Sequence, residues 1–445
     1  MIGIKDIPFL ILILILATLL FFLFVDKRPF TDEGSFCTIA EAISNGSVLY
    51  RDIYNEKAPI PYFLAALFVD TNGDNIKILR KISFVAFLFC ILFLYLLLKK
   101  NGLTILQTFF ISVFYIQTAP LFQSFNYTSE ILSLPIILFI INRLYIIERS
   151  KVNIIIGFLT IILVFIKQPF ILFSLLIMIF ALSSPNIRRH FFIGVLFGIV
   201  FIFLLLLITK SFLPFVENLS FIAHHLNLRD YARLPYRVEY YQFILILVLS
   251  TFLIYHYFKK NLKLIHILLA LSLLPQGMVR MDAFKLLPFF TVLIIMIARL
   301  SIIEQVKNLY IILLILSVTP VWFYRDILNQ NFDSIKSISY TVETKTDKKD
   351  SIWVAPHEAN IYCLSHRRPS SRFFFLLPWI SKSEVFLTLI EDLVRRDPPE
   401  CIVDVSKFNN ATTYNLSDMF AEFGEIIKNY KDVMEINGAI IYCKK

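Results

Sequence analysis

Two adjacent carboxylates, Asp32 and Glu33, follow the first long apolar run of the chain within a few residues. Apolar side chains then recur at the i, i+3, i+4 and i+7 spacing of one helix face, at Phe36, Ile39, Ala40 and Ile43. Asn45-Gly46 ends this pattern. We predict a short helix that lies in the membrane interface and holds both carboxylates at a fixed height. A solvated helix start is the alternative, because carboxylates favour helix N-termini.

The following segment, residues 49–62, is dense in charged and aromatic side chains. It contains Leu-Tyr-Arg-Asp at 49–52 and Lys-Ala-Pro at 57–59. Lys57 is a candidate anion-binding residue, because its ammonium group acts as a point charge. Tyr54 and Tyr62 are candidate substrate-binding residues. Alternatively, Lys57 only extends its ammonium group to the membrane surface and binds no ligand.

Three further polar clusters interrupt apolar sequence. Glu130 ends one polar segment, Lys167 precedes Gln-Pro, and the third cluster contains Arg280, Asp282 and Lys285. Carboxylates of this kind can accept a proton, and the cations can stabilise negative charge. Lys167 as a plain turn residue, and Arg280 with Asp282 as a structural ion pair, stay open as alternatives.

Composition indicates that these clusters belong to a membrane protein. Hydrophobic residues make up 58% of the 445 residues and charged residues 17%, with 46 phenylalanines and a mean hydropathy of +0.72. A soluble domain cannot bury that much apolar surface, and disordered, collagen-like and disulfide-scaffold chains are excluded as well. The net charge of +10 does not indicate nucleic-acid binding, because Lys and Arg collect in short loops between apolar runs.

Apolar runs of about 17–25 residues predict membrane-spanning helices. We predict about eleven, near 7–25, 78–98, 103–120, 131–147, 152–166, 169–183, 191–209, 241–258, 264–276, 286–299 and 308–324. A lysine at the bilayer centre costs about 2.5–3.5 kcal/mol or more, so the stretch 152–183 is predicted to turn at Lys167. The short basic loops alternate onto one side, which is therefore cytoplasmic. Every unusual polar cluster falls on the other side.

Residues 325–445 return to ordinary polarity. We predict strands at 351–354, 401–405 and 439–442, helices at 382–396 and 416–429, and a turn at Asn437-Gly438. The predicted fold class is a polytopic α-helical membrane domain, residues 1–324 with a first outer loop at 26–77, followed by a small extracytoplasmic α/β domain. The five cysteines show no metal-ligand spacing. A disulfide among Cys363, Cys401 and Cys443 is left open.

The motifs of residues 32–62 resemble the first outer loop of GT-C membrane glycosyltransferases. Asp-Glu-Gly at 32–34, Leu-Tyr-Arg-Asp at 49–52 and Lys-Ala-Pro at 57–59 look most like those of protein O-mannosyltransferases and lipid A aminoarabinose transferases. Lys167-Gln168-Pro169 is similar to the family's Lys-x-Pro turn. Residues 280–285 are similar to its Arg-x-Asp-x-x-His element, with Lys285 in place of the histidine. As architecture, the resemblance extends over nearly the whole chain.

The resemblance implies an inverting transfer of a sugar from a polyprenyl-phosphate donor to an acceptor outside the cytoplasm. It implies Asp32 as the base with Glu33 beside it, and Glu130 and Asp282 as further substrate-binding residues. The cations implied for the donor phosphate are Lys57, Arg280, Lys167 and Lys285. Asp32 and Glu130 are also candidate ligands for a Mg²⁺ or Mn²⁺ ion, since carboxylates suit hard cations.

The implied partners are the lipid-linked donor, membrane lipids, and an acceptor that is an envelope lipid, a lipid-linked glycan or a protein hydroxyl. The implied location is the bacterial inner membrane, with the site and the C-terminal domain outside the cytoplasm. Two alternatives remain: a lipid-linked glycan transporter or flippase, and a non-catalytic membrane scaffold. Against a transporter, the charged clusters lie at span ends on one face, and no halves of the chain repeat.

Overall fold

The computed structural model describes most of the chain. The described residues are 3–27, 31–70, 73–144, 152–183, 185–225, 246–247, 250–251, 264–274, 283–303, 332–376, 380, 385–408, 420 and 422–444. Arg280, Asp282 and the span predicted at 308–324 lie outside them, as does most of the span predicted at 241–258.

Helices dominate the described residues. In chain order they are α1 (Ile7–Phe24), α2 (Thr31–Ser44), α3 (Ile60–Ala66), α4 (Asn75–Lys100), α5 (Ile105–Thr118), α6 (Ser129–Leu144), α7 (Val152–Ile166), α8 (Ile171–Leu182), α9 (Pro185–Ile208), α10 (Phe212–His225), α11 (Leu264–Leu273), α12 (Leu287–Ile303), α13 (Asp333–Lys345), α14 (Asn360–Ser365), α15 (Val385–Glu391) and α16 (Phe423–Ile427). The strands are β1 (Ser351–Ala355), β2 (Arg368–Pro369), β3 (Cys401–Asp404), β4 (Asp432–Ile436) and β5 (Ala439–Cys443).

Several of these helices are long and apolar enough to cross a membrane. Within the described residues they are Ile4–Phe24, Asn75–Lys100, Ile105–Phe122 and Ile187–Ile208. Shorter apolar helices cover Val152–Ile166, Gln168–Leu182 and Leu287–Met296. On α9, Leu196 is 60% exposed and Phe197 is 57% exposed, as expected of side chains that face lipid. The α-helical membrane architecture is thus confirmed, whereas the number of eleven spans stays a prediction.

The chain forms two compact units. The first consists of Met1–Lys27, Arg80–Ile202 and Tyr236–Gln330, and the second of Arg28–Leu79, Phe203–Pro235 and Asn331–Lys445. The second unit therefore combines the first outer loop with the C-terminal tail, whereas the sequence suggested a boundary between residues 324 and 325. Contacts between segments far apart in the chain produce this grouping, and they leave no local signal in the sequence.

In the first unit, the apolar stretch 152–183 is broken at Lys167, as predicted. Helix α7 ends at Ile166, Lys167 is extended (φ −158°, ψ 123°), and a 3₁₀ turn at Gln168–Phe170 leads into α8. Ser174 of α8 donates a hydrogen bond to the carbonyl oxygen of Thr160 of α7 at 2.9 Å. The two helices therefore pack against each other as a hairpin.

Glycines allow α7 and α9 of the first unit to approach closely. A Cβ at Gly157 would lie 2.0 Å from the carbonyl oxygen of Phe191, and a Cβ at Gly194 would lie 1.9 Å from that of Ile154. Small residues are common where membrane helices pack, because they let the backbones come together. Each of these two helices places a glycine opposite the backbone of the other.

Polar contacts hold both ends of α1 against α4. At the start of α1, Asp6 accepts a hydrogen bond from Tyr95 at 3.1 Å and forms an ion pair with Lys99 at 3.2 Å. Just beyond its end, the carbonyl oxygen of Val25 accepts from Nη1 of the buried Arg80 at 2.8 Å. Arg80 thereby satisfies backbone groups that a helix C-terminus leaves without partners.

The C-terminal part of the second unit contains the predicted α/β domain. Its sheet has the strand order β2-β1-β3-β5-β4, in which β1 is parallel to β2 and β3, and β5 is antiparallel to β3 and β4. The predicted strands correspond to β1, β3 and β5, and β4 was not predicted. Asn437 (φ 52°) and Gly438 (φ 85°) form the predicted turn between β4 and β5. The left-handed backbone there suits Asn and Gly.

Two disulfides belong to the second unit. Cys401 and Cys443 are bonded across the neighbouring strands β3 and β5. Cys37 of α2 is bonded to Cys363 of α14, at a sequence separation of 326. The sequence left open a bond among the last three cysteines, and one such bond is present. The partner of Cys363, however, lies in the first outer loop.

Candidate active site

The predicted base and the predicted phosphate ligand form an ion pair in the second unit. Helix α2 begins at Thr31, which places Asp32 and Glu33 in its first turn, where the helix dipole favours negative charge. Asp32 Oδ2 lies 2.8 Å from Lys57 Nζ, and the two side chains are 25% and 26% exposed. The carboxylate and the ammonium group are therefore both reachable from solvent.

Glu33 differs from its neighbour, because its side chain is fully buried. A solvated helix start therefore does not describe this pair of carboxylates: one is buried and the other holds a lysine. Asp32 is the member of the pair that can reach a substrate in this arrangement.

The apolar stripe of α2 packs on protein. Phe36, Ile39 and Ala40 are each at most 1% exposed, and the ring of Phe36 lies 5.0 Å from that of Tyr62 on α3. Lys57 Nζ lies 5.0 Å from the centre of the same Phe36 ring, a distance suited to a cation–π contact. The predicted helix is thus present, and packing against protein holds its carboxylates in place; its position in the membrane interface stays a prediction.

The two candidate substrate-binding tyrosines are also packing residues in this structure. Tyr62 is fully buried, and Tyr54 is 3% exposed. Ring centroids of Phe373 and Phe221 lie 5.1 Å and 5.5 Å from that of Tyr54. Both tyrosines therefore pack against other aromatic rings, and their role in substrate binding stays a prediction.

The backbone of Lys57 is anchored on both sides. Tyr50 Oη donates to the carbonyl oxygen of Lys57 at 2.8 Å, and the Lys57 N–H donates to Asn55 Oδ1 at 3.0 Å. The carbonyl oxygen of Asn55 in turn accepts from Asn218 of α10 at 3.1 Å. Asn55 and Asn218 were missed by sequence reasoning, because 163 residues separate them.

The Leu-Tyr-Arg-Asp motif forms the turn that delivers Tyr50 to Lys57. Tyr50 adopts φ 69°, and Asp52 Oδ2 accepts from the Val48 N–H at 2.7 Å. Arg51 donates two hydrogen bonds to Asp52, each at 2.8 Å. These bonds lower the pKa of Asp52, so the carboxylate that closes the turn stays charged. The motif therefore has a positioning role.

A second lysine–carboxylate pair lies in the first unit. Glu130, in the first turn of α6, forms an ion pair with Lys167 in the break between α7 and α8. Their side chains are 2% and 15% exposed. Lys167 is thus more than a turn residue, because it neutralises a buried carboxylate. Lys285 is also buried in this unit, in a 3₁₀ turn at Ala283–Leu286.

Arg372 is a partly buried arginine of the second unit that sequence analysis did not single out. Its guanidinium lies 4.6 Å from the centre of the Phe373 ring in the second unit. Burial lowers its pKa, and Asp392, Tyr54 and Glu217 partly offset that effect. No motif distinguishes this arginine from others in the C-terminal domain, so only the fold identifies it.

Solved structures with a similar fold connect this geometry to a known architecture. The crystal structure of ArnT from Cupriavidus metallidurans in the apo state has a TM-score of 0.61 and 12% sequence identity, and the match covers 98% of both chains. ArnT from the same organism bound to undecaprenyl phosphate has a TM-score of 0.59 and 10% identity, covering 98% of this chain and 97% of that one. The chain has the ArnT fold.

The GT-C architecture implied by the sequence motifs is thereby confirmed, since ArnT has that fold. No protein-family model and no curated protein matches the chain. At 10% and 12% identity, the likeness concerns the fold, and the roles of single residues rest on the geometry of this chain.

The Glu130–Lys167 pair generates a testable prediction. We expect Lys167→Met to lower stability by about 3–5 kcal/mol, because it leaves a buried carboxylate without its cation. The double variant Glu130→Gln/Lys167→Met should recover most of that loss. Thermal unfolding midpoints of purified protein in detergent measure both. Lys77→Met, which changes a half-exposed lysine, is the matched control. A double variant as unstable as Lys167→Met would show that the loss has another cause.

Proposed function

We propose that the chain is a membrane glycosyltransferase that transfers a sugar from a polyprenyl phosphate to an acceptor outside the cytoplasm. The observation that carries this proposal is the Asp32–Lys57 ion pair on the ArnT fold. It joins a carboxylate that can accept a proton to a cation that can bind phosphate. The similar ArnT structure that is bound to undecaprenyl phosphate supports a donor of this class.

In the proposed step, an acceptor hydroxyl oxygen attacks the anomeric carbon of the donor sugar. The bond between that carbon and the phosphate oxygen breaks, and its electron pair stays on the phosphate. The hydroxyl proton passes to the Asp32 carboxylate, which acts as general base. Attack from the side opposite the phosphate inverts the configuration at the anomeric carbon.

Lys57 has two successive partners in this proposal. Before the donor binds, its ammonium group neutralises Asp32. A partly exposed ion pair is worth about 1 kcal/mol or less, so exchanging the carboxylate for a phosphate costs little. The donor phosphate then draws Lys57 away and releases Asp32 for proton transfer. Glu33, the next residue, is fully buried in the first turn of α2.

The predicted Mg²⁺ or Mn²⁺ ion fits the described carboxylates poorly. Asp32 holds Lys57, and Glu130 holds Lys167. Over the described part of the chain, neither carboxylate belongs to a group of three metal-ligating side chains, whereas hard cations take about six oxygen ligands. The proposed step is therefore described through the side chains of Asp32 and Lys57.

The disulfides support an extracytoplasmic location for the second unit. Disulfides persist in oxidising compartments and are rare in the cytosol, and both bonds lie in the unit that carries Asp32. This agrees with the prediction that the short basic loops face the cytoplasm.

Orientation can be measured with introduced cysteines. Asn45→Cys, at the exposed end of α2, should react with a membrane-impermeant maleimide in intact spheroplasts. Arg188→Cys, in the basic segment at the start of α9, should react only after permeabilisation. The native Cys90 is buried and the other cysteines are disulfide-bonded, so background labelling is low. The reverse labelling pattern would contradict the orientation.

Asp32→Asn should abolish sugar transfer, with a loss of about 10²–10⁴-fold or more, because the amide cannot accept the proton. The assay is release of polyprenyl phosphate from a panel of polyprenyl-phosphate sugars. Expression and membrane insertion should stay normal. Asp74→Asn, which alters an exposed carboxylate of the same unit, is the matched control. Full activity of Asp32→Asn would remove Asp32 from the mechanism.

Lys57→Ala should raise the KM for the donor by about 10–100-fold, as expected for loss of a hydrogen bond to a charged group. Lys57→Arg should recover part of the affinity. Lys77→Ala removes the lysine of the exposed Asp74–Lys77 pair and should leave KM unchanged. A donor KM that is the same in Lys57→Ala and the parent protein would exclude Lys57 as a phosphate ligand.

A further inference from the structure

Helices α2 and α14 of the second unit meet along one narrow face of α2. The face consists of Gly34, Cys37, Thr38 and Glu41, spaced i, i+3, i+4 and i+7. A Cβ at Gly34 would lie 2.3 Å from the backbone nitrogen of Asn360, so only glycine allows this approach. Thr38 Oγ1 lies 3.2 Å from the carbonyl oxygen of Ala359 and donates to it. The two backbones are therefore held close at this point. The following turns of the two helices, which carry Glu41 and Cys363, also lie close to each other.

Three potential metal ligands converge where the next turns meet, and His366 lies beside one of them, Glu41. One ligand atom each from Cys37, Glu41 and Cys363 lie within 4.8 Å of one another. Glu41 Oε1 is 3.6 Å from Cys37 Sγ and 3.4 Å from His366 Nδ1. Tetrahedral Zn²⁺, with bonds of about 2.0–2.3 Å, places its ligand atoms roughly 3–4 Å apart. The distances from Glu41 to Cys37 and to His366 fall in that range, whereas the two sulfur atoms are bonded to each other and separate only on reduction.

The surroundings of Glu41 resemble the outer shell of a metal site. Asn75 Nδ2 donates a hydrogen bond to Glu41 Oε1 and orients the carboxylate. Bonds of this kind fix metal ligands in position. His366 ends α14 in a left-handed conformation (φ 51°), which turns the chain back at the cluster. The side chains of Glu41 and His366 are only 13% and 25% exposed.

The other disulfide provides an internal comparison. Cys401 and Cys443 also form a buried cross-link, yet in the described parts of the chain they belong to no group of three metal-ligating side chains. A disulfide needs neither a carboxylate nor an imidazole beside it. The acid and the histidine at Cys37–Cys363 are therefore not explained by the covalent bond alone.

We propose that Cys37, Glu41, Cys363 and His366 form a redox-controlled site for a thiophilic divalent cation of the Zn²⁺ class. The oxidised form is the disulfide seen in the structure. A dithiol reductant adds two electrons and two protons, gives two thiols, and leaves as its own disulfide. Zn²⁺ then binds the two thiolates, the carboxylate and the neutral imidazole, and the two thiol protons are released.

Thiolate ligands select this class of cation over Mg²⁺ or Mn²⁺. Sequence analysis found no metal-ligand spacing among the cysteines, because the ligands come as Cys-x₃-Glu on one helix and as Cys-x₂-His at the end of another. Either form cross-links α2 to α14, so the helix that carries Asp32 stays attached in both redox states. The site itself does not depend on the proposed glycosyl transfer.

Cobalt binding to the full-length protein in detergent tests the site. A phosphine reductant is added anaerobically with Co²⁺ present, so that a fold that needs the metal can form. We expect one Co²⁺ per chain, with a thiolate-to-cobalt charge-transfer band and the visible bands of tetrahedral cobalt, and displacement by Zn²⁺. The oxidised protein should show no such band. A reduced protein without the band would overturn the proposal.

Variants distinguish this site from adventitious binding. Glu41→Gln and His366→Gln keep the disulfide for folding, and after reduction each should weaken Co²⁺ binding by about tenfold or more. Cys37→Ser should weaken or abolish the charge-transfer band. The control Cys401→Ser/Cys443→Ser should retain it in full. A band that survives Cys37→Ser unchanged but disappears in the control would place the metal elsewhere and refute the assignment.

Discussion

The position of Lys57 is the constraint on which the candidate site depends. A free lysine side chain samples many rotamers, with about 2 kcal/mol of rotamer entropy. The position of its charge is therefore defined only if the backbone that carries it is fixed and its side chain packs against a neighbour. Tyr50 and Asn55 bond to the two sides of that backbone, and the Phe36 ring lies beneath the ammonium group. Asp32 therefore meets a cation whose location is largely determined before any ligand arrives. Preorganised charge of this kind is what stabilises a developing phosphate dianion most effectively.

Local features of the chain were predictable because each has a local cause. The periodicity of α2 and the Asn437-Gly438 turn follow from side chains close together in sequence, and the break at Lys167 follows from the cost of a buried charge. Asp32 and Lys57 were both candidate site residues in the sequence analysis, and they form an ion pair in the structure. The burial of Tyr54 and Tyr62 was not predictable, since aromatic residues near charges suit a binding surface and a core equally well.

Contacts over long sequence distances account for what the sequence could not show. The Cys37–Cys363 bond, the Asn218–Asn55 hydrogen bond and the Glu41–His366 contact each join segments more than a hundred residues apart. The residues that make these contacts stand in no local motif that would indicate their partners. The same reasoning explains how a fold persists at 12% identity with a TM-score of 0.61. Apolar helices, the break at Lys167 and the close approach at Gly194 are features of this kind in the first unit.

The grouping of α2 with the C-terminal domain gives that domain a physical part in the candidate chemistry. Gly34 and Thr38 pack on the start of α14, Cys37 is bonded to it, and Tyr54 packs against Phe373 beyond it. Each contact lies within about two turns of Asp32 or beside Lys57. The carboxylate and the lysine are thus positioned by residues 359–373 as well as by the outer loop that contains them. A change in the C-terminal domain that loosens α14 would therefore move the ion pair without touching either of its members.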